Sequence, residues 1–430
     1  MTDDPAKRAV LAGLLVCVLA YGLFVSSVGA VSTQSADLYA VWLAGEFMHM
    51  GRLDHIYPVT NGLFDMTTPS GWWPHVAAID DNARIFPYIY PPIWAKLVSF
   101  LVPITTFAVF DTVALILHQT VLMATIYLVT RMCALRGMTQ LAVFCLTYTA
   151  LVSTLTMTLA LAENQPQIFV SFLIVFAFER THFGHQRSAG ALLALAAAIK
   201  GYPLLFLVIF AARRQWPAVT SFVVTGAALA LASVALAGWP LHSEYISLIK
   251  ALSRSVIVTN FSLSIDAYVA GLSFTQDLIK VRLPRMAPQD AGWTAMAKPM
   301  VWVAMSGVAN LAALVFAGFL AARRPSDPLV LPVVAILLAM LSPLSWAYTY
   351  LTAFVFAGAF ATRVGPVGVA LVIGFAALFH RSVPMATFGR FDFGLTAHWV
   401  LAGLACATLG LAMLWVILRR PQPAAPEKTH

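Results

Sequence analysis

Charge is what this sequence has least of. Only 10% of its 430 residues are Asp, Glu, Lys or Arg, against about a quarter in a soluble domain. So few polar side chains cannot clothe a water-facing surface, which excludes an ordinary soluble fold. Cysteine is also scarce. Cys17, Cys133, Cys145 and Cys406 lie in or beside apolar segments and form no C-x-x-C pair. Neither a zinc site nor a disulfide framework follows from them, and apolar core thiols remain. His49, His55 and His75 lack the close spacing that metal ligands need. There is no sequence repeat and no low-complexity segment beyond the Pro-rich tail.

What is abundant is apolar sequence. The chain is 60% hydrophobic and its mean hydropathy is +0.83. Its apolar runs repeat, and several are long enough to cross ~30 Å of hydrocarbon. Only helices, or closed barrels, satisfy their backbone in such a medium, so the pattern predicts an all-α polytopic membrane protein. The formal charge of +8 comes from 26 Lys+Arg against 18 Asp+Glu. In a soluble protein that balance would suggest nucleic acid. Here the cations fall in small groups between apolar runs, which is a topology signal.

Read in order, the first crossing is Ala9–Ala30, too long for a signal-peptide core of ~7–15 residues. Lys7 and Arg8 place its start in the cytoplasm. Residues 31–92 then form a first long extracytoplasmic loop. Later apolar segments return to Arg131 and Arg136, to Arg180 and Arg187, to Arg213-Arg214, to Arg323-Arg324, to Arg363 and to Arg419-Arg420. With both termini cytoplasmic, every one of these groups falls on the same face. A second long outer loop covers 238–298. Ile93–Val102 is too short to span, and 188–212 break at Lys200-Gly201-Tyr202-Pro203. The expectation is about 12 crossings including broken half-helices, in one transmembrane domain over 1–420 with a polar tail at 421–430. The location implied is the plasma (inner) membrane.

The first outer loop carries the chemistry. Asp37 to Met50 can form a helix ended by Gly51. Asp37 at its start is either a helix cap or a general base, able to take a proton from a hydroxyl that attacks an anomeric carbon. Asp80-Asp81 can be read as an acidic metal site, but a solvated loop is the simpler reading. Tyr90-Pro91-Pro92 forces an extended approach and then a helix start. Glu163-Asn164-Gln165-Pro166-Gln167 offers either sugar-binding side chains or caps. Lys200 sits between two apolar half-helices, where an ammonium calls for an anion or water. A lipid phosphate, Glu163 and the outer interface are its possible partners. Arg381 and Arg390 lie on the outer face, against the positive-inside trend. They suit either a phosphate or a salt bridge to Asp392.

An ordered set of motifs carries a resemblance. Asp37-Leu38-Tyr39 follows the first helix, then come Tyr57-Pro58 and Tyr90-Pro91-Pro92. Asn164-Gln165 opens a later helix. Ala196-Ala197-Ala198-Ile199-Lys200 and Tyr202-Pro203 run on to Arg213-Arg214-Gln215-Trp216. Asn260-Phe261-Ser262-Leu263 lies in the second loop, and Ser342-Pro343-Leu344-Ser345-Trp346 begins a late outer turn. In this the chain resembles the polyprenol-phosphate-mannose-dependent mannosyltransferases of glycosyltransferase family 87. The resemblance implies a GT-C membrane fold and a lipid-phosphate sugar donor used outside the cytoplasm. It maps the family's catalytic aspartate onto Asp37. Two departures stand out. Histidines that often follow the family's Ser-Pro-x-Ser-Trp are replaced by Ala347-Tyr348-Thr349-Tyr350. The paired acids of many GT-C enzymes are replaced by Asp37-Leu38-Tyr39, so a metal cofactor is not supported.

The expected activity is therefore transfer of a hexose such as mannose from a polyprenyl phosphate to a lipid or glycan acceptor. Asp37 is the expected base. Lys200, Arg381 and Arg390 are expected at the donor phosphate, with Tyr90, Gln165, Tyr202, Trp346 and Tyr348 in the substrate pocket. No nucleic acid or nucleotide sugar is expected as a partner. A transporter or flippase for a lipid-linked glycan, and a non-catalytic envelope scaffold, are the competing expectations.

Overall fold

The structure is a computed structural model, and it describes residues 5–31, 35–58, 62–75, 85–281, 293–380 and 397–419. The polar tail at 421–430 lies outside these. The first third of the chain forms α1 (Pro5–Val31), α2 (Ala36–His49), α3 (Pro92–Ser99), α4 (Phe107–Met132) and α5 (Gly137–Ser153). Then come α6 (Leu155–Ala162), α7 (Gln167–His182), α8 (Gln186–Ile199), α9 (Leu207–Ala212), α10 (Trp216–Ala237) and α11 (Trp239–Arg254). A three-stranded antiparallel sheet follows, β1 (Ser255–Val258), β2 (Ile279–Val281) and β3 (Trp293–Ala297), in the order β1-β3-β2. Helix α12 (Ile265–Ser273) lies between β1 and β2. The rest is α13 (Met300–Arg323), α14 (Val330–Leu341), α15 (Leu351–Phe354), α16 (Ala357–Val364), α17 (Pro366–Leu378) and α18 (Ala397–Arg419).

The helical membrane architecture holds, with the small sheet as an addition in the second long polar segment. Among the described residues, five helices are long and apolar enough to cross a membrane, and the bent pair α6 and α7 makes up to six. The count of about 12 is not established by helix length. The other apolar helices run 10–17 residues, short of the ~20 a single span needs. Two expected continuous crossings are interrupted. The first breaks at Thr154, where the Leu155 N–H leaves the helix ladder for the Phe379 carbonyl at 2.7 Å. The other, from Ala347, is split into a 3-10 turn (Ala347–Tyr350), α15 and α16. Buried broken helices are tolerated in membranes because neighbouring protein satisfies their backbone.

Helix α4 sets the axis of the molecule. Near its start, Asp111 accepts hydrogen bonds from Ser35 and Asn164. Near its end, Arg131 pairs with buried Glu179 at 3.0 Å, and Arg180 meets the same carboxylate at 2.6 Å. Twenty residues of helix separate these groups by roughly 30 Å, the thickness of the hydrocarbon core. Arg363 and Asp327 form a second ion pair at 2.7 Å.

The two long polar segments, far apart in sequence, pack on each other. The Phe64 N–H donates to Ser255 Oγ at 2.8 Å, and Trp293 Nε1 donates to the Asp65 carbonyl at 2.6 Å. Apolar residues of α2, α3 and α11 join β1, β2 and β3 in one core. The late Ser345–Ala347 turn is stitched to the second segment by Leu263 N–H to Ser345 O (2.7 Å) and Ala347 N–H to Phe261 O (2.9 Å).

The closest helix packing described is between α8 and α10 at Gly190. A Cβ there would stand 2.0 Å from the Ala218 carbonyl oxygen and 2.8 Å from the Phe222 nitrogen. Gly190→Ala should therefore cost about 1–3 kcal/mol and lower the thermal unfolding midpoint of the detergent-purified protein. Gly226→Ala, on α10 with nothing within 4 Å of its Cβ, should leave it unchanged or raise it. Equal losses at both positions would contradict this packing.

Candidate functional site

The site begins with a helix start that does not cap itself. Ser35 stands at the N-cap of α2 and its side chain makes no capping hydrogen bond. Four N–H groups at a helix start need partners from elsewhere. Glu163 supplies one: its Oε2 accepts from the Ala36 N–H at 2.7 Å and from the Asp37 N–H at 3.4 Å. Glu163, rather than Asp37 itself, is thus a cap of α2. The Asp37 carboxylate points instead into a cavity of about 320 Å³. At the other end of α2, Gly51 takes φ +72°, the left-handed conformation that ends a helix.

Glu163 lies on an elbow where α6 and α7 meet at 110°. Asn164 makes the bend by adopting φ +44°, which Asn tolerates better than most residues. Its buried side chain locks the elbow to α4. Asn164 Nδ2 donates to the Asp111 carbonyl and carboxylate at 3.0 and 2.8 Å, and its Oδ1 lies 2.9 Å from His118 Nδ1. With Asn164 turned away, Glu163, Gln165 and Gln167 line the cavity.

Gln165 is the centre of the polar contacts. Its Nε2 donates to Asp37 Oδ2, and its Oε1 accepts from Lys200 Nζ at 3.4 Å. Lys200 stands at the C-cap of α8 in an extended conformation, where the helix breaks as the sequence indicated. Its ammonium also lies 5.8 Å from the Tyr90 ring centroid and 5.5 Å from that of Tyr348, within cation–π range. Tyr202 follows in the break, and its hydroxyl accepts from Gln167 Nε2 at 2.6 Å. Tyr90 is delivered by the extended approach to α3. There Tyr88 braces the joint, donating to the Pro91 carbonyl at 2.6 Å and accepting from the Ala95 N–H at 3.1 Å.

Burial and the neighbouring Glu163 charge push the Asp37 carboxyl up from 3.8 to about 8, while Lys200 and the Gln165 hydrogen bond pull the other way. A carboxyl in that range holds or releases a proton near neutrality, as an acid–base group must.

Asp37, Tyr90, Gln165, Lys200, Tyr202, Trp346 and Tyr348 all line this one cavity. Arg381 and Arg390 lie outside the described residues, as do Asp80, Asp81 and Asp392. His55 and His75 pack against the Phe47 ring, at 5.4 and 5.0 Å between centroids. Sequence reasoning missed the tie from Glu163 to the α2 backbone, because a backbone donor leaves no mark in the residue pattern. It also missed Asp111 and His118, whose part is visible only once Asn164 reaches them.

The family model of glycosyltransferase family 87 matches residues 88–343. That span contains Tyr90, Glu163, Gln165, Lys200 and Tyr202, whereas Asp37, Trp346 and Tyr348 lie beyond its ends. No curated protein matches the chain.

Replacing Asn164 tests the elbow. Asn164→Ala removes the partner of Asp111 and His118 and puts a Cβ into a left-handed turn. Asn164→Gly removes the same contacts without the backbone penalty. Both should be less stable than the parent by about 1–3 kcal/mol, with Gly above Ala by about 1 kcal/mol, read as thermal midpoints. An Ala variant as stable as the parent would contradict the elbow's role.

Proposed function

The chain belongs to glycosyltransferase family 87, and we propose that it transfers a hexose such as mannose from a polyprenyl phosphate to a lipid or glycan acceptor, on the membrane face opposite the cytosol. One observation carries this reading. A carboxyl group and an ammonium share one cavity, held apart by the two ends of the Gln165 amide. Glycosyl transfer from a phosphate needs such a pair. The acceptor oxygen attacks the anomeric carbon, and Asp37 takes its proton. The bond from that carbon to the phosphate oxygen breaks, and its electron pair leaves on the polyprenyl phosphate. Lys200 faces that oxygen and offsets its charge. Among the described residues, the ammonium contacts the Gln165 oxygen and two aromatic faces, with the Asp37 carboxylate acting on it across the cavity; an incoming anion suits such an ammonium.

The surroundings agree with a lipid-linked donor. A second cavity of about 150 Å³, lined by Leu205, Phe206, Leu338 and Ala339, shares Tyr202, Ser342 and Thr349 with the first. It offers an apolar neighbour for isoprenoid carbons beside the polar cavity. Tyr90, Tyr348 and Trp346 give the main cavity aromatic walls of the kind that stack on a sugar ring. The cavity lies by the start of α4, about 30 Å from the Arg131 and Arg180 ion pairs. By the positive-inside rule those cations mark the cytoplasmic face, so the cavity belongs to the other one. Arg381 and Arg390 are proposed as further phosphate ligands from the sequence alone. No metal is invoked.

Release of polyprenyl phosphate by the purified enzyme measures turnover. Asp37→Asn should lower kcat by about 10³-fold while donor affinity stays within about threefold. Lys200→Met should instead weaken donor binding by about tenfold or more. Because the base works ionised and its titration is displaced upward, kcat/KM should rise with pH toward about 8, and fall again where the Lys200 ammonium that holds the donor loses its proton. Gln165→Leu removes a hydrogen bond that favours the carboxylate, so its rise should move to higher pH. Full turnover by Asp37→Asn would remove the proposed base.

A further inference from the structure

Asp37 is held by the elbow at two points. From one side, the Gln165 amide grips its carboxylate. From the other, Glu163 grips its backbone N–H at 3.4 Å, together with that of Ala36 at 2.7 Å. The two gripping residues are separated only by Asn164, whose side chain anchors the elbow to Asp111 and His118. The distance from the Asp37 backbone to its carboxyl contact is therefore set by three successive residues of one turn, Glu163, Asn164 and Gln165. Glu163 and Asp37 are also two acids lining the same cavity, an arrangement in which each disfavours the other's charge.

We propose that Glu163 is a positioning residue for Asp37: it caps helix α2 from across the fold and places a second carboxyl in the cavity that Asp37 lines. This rests on the proposed role of Asp37 as base. A carboxylate at a helix start is stabilised by the N–H groups and the helix dipole, whereas burial presses Asp37 toward its neutral form. Among the described residues, five groups face Asp37: Glu163 and Gln165 from the elbow, Lys200 from the break after α8, Tyr90 from the approach to α3, and Tyr348 from the late turn. Of these, Glu163 is the one whose charge makes the Asp37 carboxylate harder to form, whereas Lys200 and Gln165 make it easier. Burial works in the same sense as Glu163.

The test separates charge from capping. Glu163→Gln keeps an oxygen that can accept from Ala36 and Asp37 but loses the charge. Its rise of kcat/KM with pH should move to lower pH by about one unit, and its maximal rate should fall several-fold because Asp37 is a weaker base. Glu163→Asp keeps the charge on a shorter arm. Its pH profile should stay near that of the parent while kcat falls, since the cap no longer reaches. Glu163→Ala loses both and should show the displaced profile with the larger loss of kcat. Superposition of the Glu163→Gln and parental profiles would overturn the proposal and leave Glu163 a cap alone. So would a Glu163→Asp profile displaced as far as that of Glu163→Gln. Failure of the underlying reading is recognised separately, by an Asp37→Asn enzyme that still turns over. With Asp37→Asn inactive and Glu163→Gln unshifted, only the role of Glu163 falls.

Discussion

The grip of one tight elbow on the start of a neighbouring helix is the constraint on which the site depends. Helix α2 begins without a side-chain cap of its own, and the chain satisfies it from a residue 127 positions away, Glu163. The same elbow then places Gln165 between Asp37 and Lys200. Asn164 pays for this in backbone conformation and recovers it through Asp111 and His118. In a membrane protein such contacts matter more than their number suggests, because an unsatisfied polar group has no bulk water to turn to.

Two ends of the molecule handle charge differently. Around Arg131, Glu179 and Arg180, and again around Arg363 and Asp327, cations are met by carboxylates at 2.6 to 3.0 Å. Pairs of that kind satisfy their charges internally. At the cavity, the contacts of Lys200 among the described residues are an amide oxygen and two ring faces, with Asp37 acting on it through space. A charge tied this loosely can exchange partners during a reaction.

Much of this arrangement was legible in the sequence, for physical reasons. The helical class followed from low charge and repeated apolar runs. The break at Lys200 was visible because Gly201 and Pro203 cannot continue a helix beside an ammonium in apolar surroundings. Asp37 stood out as an acid just after a crossing, and Tyr90 as the end of a proline-directed approach. The motifs at Asn260–Leu263 and Ser342–Trp346 were separate in the sequence, yet their backbones pair in the fold. What was not legible depends on backbone donors or on long separation: the capping of α2 by Glu163, the small sheet, and the break at Thr154. Hydropathy showed the short segment Ile93–Val102 and the break at Lys200 but not the interruptions at Thr154 and after Ala347. Periodicity reports burial, and burial in protein and burial in lipid look alike from sequence.

The central claim is that an acid and a cation meet in a cavity that opens away from the cytosol. Accessibility labelling in intact cells tests it most directly. In a background freed of Cys17, Cys133, Cys145 and Cys406, a cysteine would be placed at Ile249, which lines the cavity, and separately at Arg136, in the turn after α4. A membrane-impermeant maleimide should label Ile249→Cys at once and Arg136→Cys only after the cells are permeabilised. The reverse pattern would put the cavity on the cytoplasmic side and contradict the account.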